Sequence, residues 1–151
     1  MLFRSLIPYT IALLFLDNQY LKKKIKELGD NSNNNIIHLK DEKGEVRLSI
    51  NIMNVLYAEA ADNYVIIKYI NNDKISDFLL RTNLKKMSED LHDTPIQRCH
   101  RSFMINMLHV TSLKKDMTEF TIQFDTTSIK DITVSRSYQE SIMEAFTKYQ
   151  K

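Results

Sequence analysis

Short stretches in which apolar and polar residues alternate fill most of the chain after residue 35. In Glu119–Asp125, the side chains of Phe120, Ile122 and Phe124 alternate with polar ones, which is the pattern of a strand with one buried face. Eight further segments are rich in β-branched and aromatic residues and are separated by turn-forming residues. These predicted strands are Ile36–Leu39, Glu45–Ile50, Ile52–Glu59, Tyr64–Ile70, Lys74–Leu80, Ile96–Ile105, His109–Leu113 and Ile129–Ser135.

Two segments with apolar residues at helical spacing interrupt the strands. The first is Asn83–Leu91, and we expect Thr82 to cap its amino end. The second is Ser137–Tyr149, with Ser135 or Ser137 as its cap. The spacing therefore predicts two short helices within a series of strands.

The first 29 residues follow a different pattern. Ser5–Leu16 is nearly all apolar, and lysines at positions 22–24 and 26 follow it. The run is shorter than the roughly 20 residues that cross a membrane, and a signal peptide would carry its basic residues in front. Leucine or isoleucine at positions 14, 21, 25 and 28 has heptad-compatible spacing. Three uses stay open for this predicted helix: packing on its own domain, pairing with a second copy, or membrane association through residues 2–16.

A polar run divides the chain. Asp30–Asn35 contains only Asp, Asn and Ser, residues that favour loops. We therefore predict a linker at residues 30–35 between an N-terminal helix (1–29) and a globular domain (36–151).

The composition is that of an ordinary globular protein, with 43% hydrophobic and 26% charged residues among 151. The single cysteine, Cys99, excludes an internal disulfide and fits a reducing, cytoplasmic setting. The net charge is +2, and positions 31–151 hold 16 basic and 16 acidic residues. A nucleic-acid partner therefore requires the positive groups to collect on one face.

No catalytic or metal-binding pattern emerges from the sequence. Cys99 and His100 cannot form a thiol–imidazole pair, because adjacent residues of a strand project to opposite faces. Zinc binding through His92, Cys99, His100 and His109 lacks the usual paired-ligand spacing. There is neither a P-loop nor a GxGxxG motif. We expect no enzymatic activity, no cofactor and no small-molecule substrate.

Four segments carry a specific resemblance. The first, at positions 52–64, has the pattern Ile-x-x-Val-x-Tyr-x-Glu-Ala-x-x-Asn-Tyr and is followed by Val65. The others read Leu-Arg-Thr-Asn-Leu (80–84), Arg-Cys-His-Arg-Ser-Phe-Met-Ile-Asn (98–106) and Val-Ser-Arg-Ser-Tyr (134–138). In this order and spacing, over residues 36–149, they resemble the LytTR DNA-binding domain of bacterial regulators. The resemblance implies a mainly β fold of about ten short strands in three small sheets with one or two short helices, here preceded by the N-terminal helix.

The resemblance also implies loops that enter successive major grooves of DNA and bend the duplex. Residue by residue, the DNA-facing positions are Asn63 and Tyr64 on the first loop, His100, Arg101 and Ser102 on the second, and Arg136 on the third. Two positions depart from the family pattern. Asp62 stands where most members carry glycine, and the hairpin at positions 125–128 lacks its usual glycine.

The residue types themselves leave both a contact role and a structural role open. His100 and Arg101 can donate to guanine O6 or N7, yet alternation along the predicted strand puts them on opposite faces, so one of them would serve the fold. Tyr64 can stack at a groove or belong partly to the core. Arg136 stands where a strand meets a helix, a place suited to a phosphate. Lysine pairs that could contact phosphates, or simply be solvated, are Lys85, Lys86, Lys114 and Lys115.

The sequence thus predicts a DNA-binding transcription regulator that reads major grooves and pairs on repeated half-sites as a homodimer. The alternative is an interaction module of the same fold that modulates another regulator without reading DNA. We expect the protein in the cytoplasm, either free or attached to the inner face of the membrane.

Overall fold

The computed structural model of the chain describes residues 10–24 and 35–150, and its contacts divide the chain into two units, up to Ile36 and from Ile37 onward. In the first unit, residues 10–24 form helix α1. Its large apolar side chains between Ile11 and Leu21 are 46–68% exposed. None of the helices in the described part of the chain is both long and apolar enough to cross a membrane. Positions 25 and 28 of the heptad pattern, and the predicted linker apart from Asn35, lie outside the described residues.

The second unit is built from ten strands and two helices. The strands are β1 (Ile36–Lys40), β2 (Val46–Asn51), β3 (Val55–Ala61), β4 (Tyr64–Asn71), β5 (Lys74–Leu80), β6 (Ile96–His100), β7 (Phe103–Asn106), β8 (Val110–Asp116), β9 (Glu119–Phe124) and β10 (Ile132–Val134). The helices are α2 (Leu84–Asp90) and α3 (Gln139–Tyr149). The sheets have the orders β1-β2, β5-β4-β3-β7-β6 and β10-β9-β8, and every pairing in the two larger sheets is antiparallel. The predicted mainly β fold in three small sheets is confirmed.

The five-stranded sheet is the central layer, with a hydrophobic cluster on each face. Strand β7 contributes to both, because successive strand residues face opposite sides. Met104 belongs to the cluster that includes α2, whereas Ile105 belongs to the cluster that includes α3 and the three-stranded sheet. Both side chains are fully buried. The central layer is therefore packed on both faces, and the turns at its ends extend from a buried sheet.

A buried asparagine joins the carboxyl end of β7 to the start of β3. The Asn106 amide donates to the carbonyl oxygens of Ile52 and Val55, both at 2.7 Å, and its oxygen accepts from the backbone N–H of Leu108 at 3.1 Å. Asn106 is completely buried. Buried polar groups are almost always hydrogen-bonded, and here the two donated bonds hold the end of β7 against the start of β3.

Three predicted strands differ from those observed, and one of them, Ile129–Ser135, is shortened to the three residues of β10. The expected single strand Ile96–Ile105 is a hairpin, in which β6 and β7 are joined by a two-residue turn at Arg101 and Ser102. This correction places Arg101 at the tip of a turn instead of on the same strand face as Cys99. The expected strand Ile52–Glu59 begins instead with a 3-10 turn at Ile52–Asn54, in which the Asn51 side chain accepts from the Met53 N–H.

The predicted helix caps were wrong. Asn83, not Thr82, caps α2, because its side-chain oxygen accepts from the Lys86 backbone N–H at 2.8 Å. The Thr82 hydroxyl is buried and has no hydrogen-bond partner among the described residues. Neither Ser135 nor Ser137 caps α3: residues Arg136–Tyr138 form a 3-10 turn, and the helix begins at Gln139 without a side-chain cap.

Candidate nucleic-acid interface

Three connections of the second unit meet at one end of the five-stranded sheet. The β3–β4 turn, the β5–α2 connection and the β6–β7 turn all leave the sheet there, since Ala61 pairs with Tyr64, Val65 with Leu80, and Glu59 with Phe103. The Ala60 backbone N–H donates to the Ser102 carbonyl at 2.9 Å. The first and second predicted DNA-facing loops are thus immediate neighbours.

The first loop is a two-residue turn at Asp62 and Asn63. Asp62 has a φ of 54°, the left-handed conformation that favours glycine and that aspartate tolerates better than most residues. The turn therefore keeps the backbone conformation expected of glycine at this position, although glycine itself is missing. Asn63 is exposed, and Tyr64 is 39% exposed next to the fully buried Val65. The Tyr64 ring is accordingly accessible beside the turn.

The second loop fixes the orientation of a histidine. The Ser102 backbone N–H donates to His100 Nδ1 at 3.1 Å. An accepting Nδ1 means that the neutral imidazole carries its proton on Nε2, so Nε2–H is a donor. Nε2 has no hydrogen-bond partner among the described residues. Arg101, at the tip of the turn, is exposed.

The third predicted segment reaches the same end of the sheet from β10. The Ser135 backbone N–H donates to the Cys99 carbonyl at 3.0 Å, which attaches the segment to β6 two residues before Arg101. Arg136 follows at once and is exposed. Arg101 and Arg136 therefore lie on the same end of the domain, and in the described part of the chain neither forms an ion pair.

Arg98 connects the second loop to the third, a role that the sequence did not indicate. Its guanidinium donates to the carbonyl of Arg101 at 3.1 Å and, at a longer 3.4 Å, to that of His100. The same group lies over the Tyr138 ring, 5.7 Å from the centroid. The Arg-x-His-Arg spacing in 98–101 was the available signal, but only a hairpin turns the Arg98 side chain back onto the loop carbonyls.

A depression of about 320 Å³ lies between the first loop, the start of α2 and the second loop. Its basic lining residues are Lys85, Arg98 and Arg101, and Asp62 is the acidic one. Lys85 is exposed and in no ion pair with a described residue. The excess of positive charge makes the depression suitable for an anion.

The remaining lysine candidates separate into two groups. Lys86 Nζ donates to the carbonyls of Asp41 and Glu42, at 3.0 and 2.9 Å, and so ties α2 to the β1–β2 turn. Lys114 and Lys115 are exposed near the end of β8. The Gln139 side chain donates to the Thr118 carbonyl at 3.1 Å, which brings the neighbouring β8–β9 turn to the start of α3, directly after the third loop.

The chemistry of these residues is that of hydrogen-bond donors, not of a reactive centre. Burial raises the pKa of the Cys99 thiol to about 12, so the thiol stays protonated at neutral pH and is a poor nucleophile. Within residues 10–24 and 35–150, His, Cys, Asp and Glu side chains form no cluster suited to a metal ion.

Comparison with known proteins assigns this arrangement to a family. The family model of the LytTr DNA-binding domain matches residues 45–147. A response regulatory protein of Vibrio cholerae serotype O1, itself uncharacterized, is 28% identical over 80 residues, which cover 53% of this chain and 31% of that protein. The chain thus spans about a third of the length of this relative. A solved LytTr DNA-binding domain from Bacillus cereus has the same fold, with a TM-score of 0.51 and 22% identity over 74% of this chain and 95% of that one. The family match covers all three loops, and the chain belongs to the LytTr DNA-binding domain family.

Proposed function

We propose that the chain regulates transcription by binding double-stranded DNA sequence-specifically through the three loops at this end of the sheet. One observation carries the proposal: Arg101 and Arg136 are exposed, have no ion pair with a described residue, and lie with His100 on one end of a domain with no excess of basic residues. An arginine without a carboxylate partner keeps its full set of donors for a ligand.

The base readers in this proposal are Arg101, Arg136 and His100. A guanidinium can donate two parallel hydrogen bonds to guanine O6 and N7 in the major groove. His100 can add one bond from Nε2, because Nδ1 is already occupied by the Ser102 N–H. Asn63 and Tyr64, on the adjacent turn, extend the contact along the groove, and Ser102 contributes its hydroxyl.

Phosphate contacts supply affinity without sequence preference. The basic depression suits one phosphate, held by Lys85 next to Arg101. Lys114 and Lys115 suit another on the side of the third loop. Lys86 is left out of this role, because its ammonium is already bound to two carbonyl oxygens.

One domain of this size presents few base contacts, so we propose that two copies bind repeated half-sites. Paired half-sites double the number of contacts and set their spacing. The family consists of DNA-binding domains, which agrees with the expectation that the chain is not an enzyme.

The proposal predicts different effects for Arg101 and Lys85. A preferred duplex is first selected from a random library. Arg101→Ala should lower the affinity for that duplex about tenfold and the affinity for random DNA little, because a base contact is worth roughly 1–3 kcal/mol. Lys85→Ala should lower the affinity for both DNAs by the same factor. It should also reduce the slope of log affinity against log salt by about one, the effect of losing one phosphate contact. The measurement is a salt-titrated gel shift on the full chain.

Lys74→Ala is the matched control, since Lys74 is exposed at the β4–β5 turn, on the opposite end of the five-stranded sheet. It should bind like the unmodified chain. If no duplex is enriched even at low salt, sequence-specific binding is excluded and the interaction module that modulates another regulator takes its place. A selected site that contains a single half-site and binds one copy would contradict the proposed dimer.

For helix α1 we propose attachment to an anionic membrane surface. Apolar side chains at five of the six positions 11–16 are at least 46% exposed, and consecutive positions face all sides of a helix, so no single dimer seam accounts for them. Lys22, Lys23 and Lys24 follow at the end of this segment and suit anionic headgroups.

This attachment predicts binding that depends on lipid charge. The full chain should sediment with vesicles containing phosphatidylglycerol and less with purely zwitterionic ones. Replacing Lys22, Lys23 and Lys24 with glutamine should lower the affinity for the anionic vesicles at least tenfold, since each lysine near such a surface is worth about 1 kcal/mol. The same variant should keep its DNA affinity in the absence of lipid. A chain that stays in the supernatant with both vesicles, or forms a dimer unaffected by lipid, rules out this role for α1.

A further inference from the structure

A cleft of about 510 Å³ lies between one face of the five-stranded sheet and the segment 128–133 that leads into β10. It is the largest of the cavities described for this chain, and it is separate from the basic depression. Its size falls in the range of sites that take small molecules, about 300–1,000 Å³.

Aromatic rings form the floor of the cleft. Phe103 lies between Tyr57 and His100, with ring centroids 6.3 Å from Tyr57 and 5.9 Å from His100. Ile129 and Ile132 line the opposite wall. Because tilted and offset ring arrangements are favourable, this floor suits a planar aromatic group.

Three residues that line the cleft carry a polar group with no hydrogen-bond partner among the described residues. These groups are the Glu59 carboxylate, the Tyr57 hydroxyl and His100 Nε2. Glu59 is half-buried on β3, directly across from Phe103. Lys68, which pairs across the sheet with Tyr57, is already bound to Asp77 at 2.6 Å. Burial raises the pKa of Tyr57, so its hydroxyl stays neutral and is available as a donor.

The charged residues in the lining indicate the charge that a ligand of this cleft would carry. Glu59 and Asp131 are acidic, and Lys130 is the one lysine or arginine in the lining. Asp131 is exposed and accepts only a long 3.3 Å bond from Gln123. A net negative cleft repels DNA phosphates, so the proposed DNA contact does not account for it.

We infer that this cleft binds a small aromatic cation, with the ring on Phe103 and Tyr57 and a protonated amine on the Glu59 carboxylate. His100 lines the cleft and also stands among the proposed base readers. A ligand that fills the cleft covers His100 Nε2 and so keeps this donor from reaching DNA. The effect on DNA rests on the proposed function, whereas the binding site itself does not.

Tryptamine tests the site, with indole-3-propionate as a probe of the same ring and opposite charge. The chain contains no tryptophan, so indole fluorescence comes from the probe alone. Fluorescence anisotropy on the full chain without DNA should show saturable binding of tryptamine and at least tenfold weaker binding of indole-3-propionate. Glu59→Gln should lower the affinity for tryptamine about tenfold, because the charge-assisted hydrogen bond to its ammonium group is lost. Asp131→Asn, in an exposed loop, should lower the affinity for tryptamine a fewfold.

Glu89→Gln is the control, since Glu89 is exposed on α2 and does not line the cleft. Equal binding of the two indoles, no saturation by tryptamine, or unchanged affinity in both Glu59→Gln and Asp131→Asn overturns the inference. In a second experiment, tryptamine should weaken DNA binding by the unmodified chain and not by Glu59→Gln. If DNA binding is absent altogether, the proposed function fails while the anisotropy result still decides the ligand site.

Discussion

Replacing Asn106 with aspartate is expected to lower the free energy of unfolding by about 3–5 kcal/mol at neutral pH, the usual effect of an unpaired buried charge. The aspartate keeps the shape of the side chain and still accepts from the Leu108 N–H. It cannot donate to the carbonyls of Ile52 and Val55, which now face a carboxylate at about the same 2.7 Å. Urea unfolding followed by circular dichroism measures the loss.

Asn51→Asp is a matched control for this substitution. Asn106 and Asn51 each cap a 3-10 turn, at Met107–His109 and Ile52–Asn54. The Asn51 side chain, however, only accepts a bond, from the Met53 N–H at 2.9 Å, and aspartate can do the same. We expect a change below about 0.5 kcal/mol. An equal loss in the two variants would mean that the two donated bonds of Asn106 do not hold the central strands together.

The penalty in Asn106→Asp should also depend on pH with a definite sign. Burial between carbonyls disfavours the charged form, so the pKa of this carboxyl is raised above its unfolded value of about 3.9. Destabilisation is therefore full above the folded-state pKa and decreases as the pH falls toward the unfolded value. A smaller difference from the unmodified chain at lower pH checks this.

The regular elements could be predicted because burial on one face leaves a periodic trace. In β9, the alternation of Phe120, Ile122 and Phe124 predicted a half-buried strand, and Ile122 is fully buried in the cluster under the three-stranded sheet. In α2, the helical spacing of apolar residues predicted the helix, and Leu84 and Met87 at that spacing are both buried. Because one face of each element is buried, its apolar residues recur at the period of that element, and a short stretch of sequence is enough to detect this recurrence.

The failures involve polar contacts that periodicity does not record. Nothing in Arg101-Ser102 is a strong turn signal, so the hairpin was predicted as one strand. Thr82 and Asn83 are adjacent and both can cap a helix, but asparagine caps better, and the structure uses Asn83. A choice between neighbours depends on which of them the tertiary fold buries, and Thr82 is the buried one.

In the candidate site, too, the loops could be predicted from the sequence, whereas the contacts between them could not. The loops carrying Arg101 and Arg136 were expected from the family resemblance, but their contact through Cys99 and Ser135 joins residues far apart in the chain. Arg98 was predicted only as part of a strand. Its bonds to loop carbonyls and its place over Tyr138 exist only because the hairpin and the third loop meet.

Removal of Arg98 should have the largest effect on DNA binding of any single substitution proposed for the loops. Arg98→Ala releases the carbonyls of His100 and Arg101 and the ring of Tyr138, which follows Arg136 by two residues. Both arginine readers then lose their fixed positions. If each contributes about tenfold, the preferred duplex should bind about 100-fold more weakly. The measurement is the affinity for the selected duplex against random DNA, over a range of salt concentrations.

Arg98 lines the basic depression, so a direct phosphate contact is the competing explanation, and salt separates the two. A positioning residue reduces the ratio of selected to random affinity and leaves the slope of log affinity against log salt unchanged, whereas a phosphate contact reduces the slope by about one and keeps the ratio. Arg98→Lys sharpens this test, because it retains the charge but cannot reach two carbonyls while stacking on Tyr138. Specificity should stay low in Arg98→Lys. Recovery of specificity with lysine would show that charge alone matters at this position, and Arg98 would then be a phosphate ligand instead of the residue that holds the second and third loops in place.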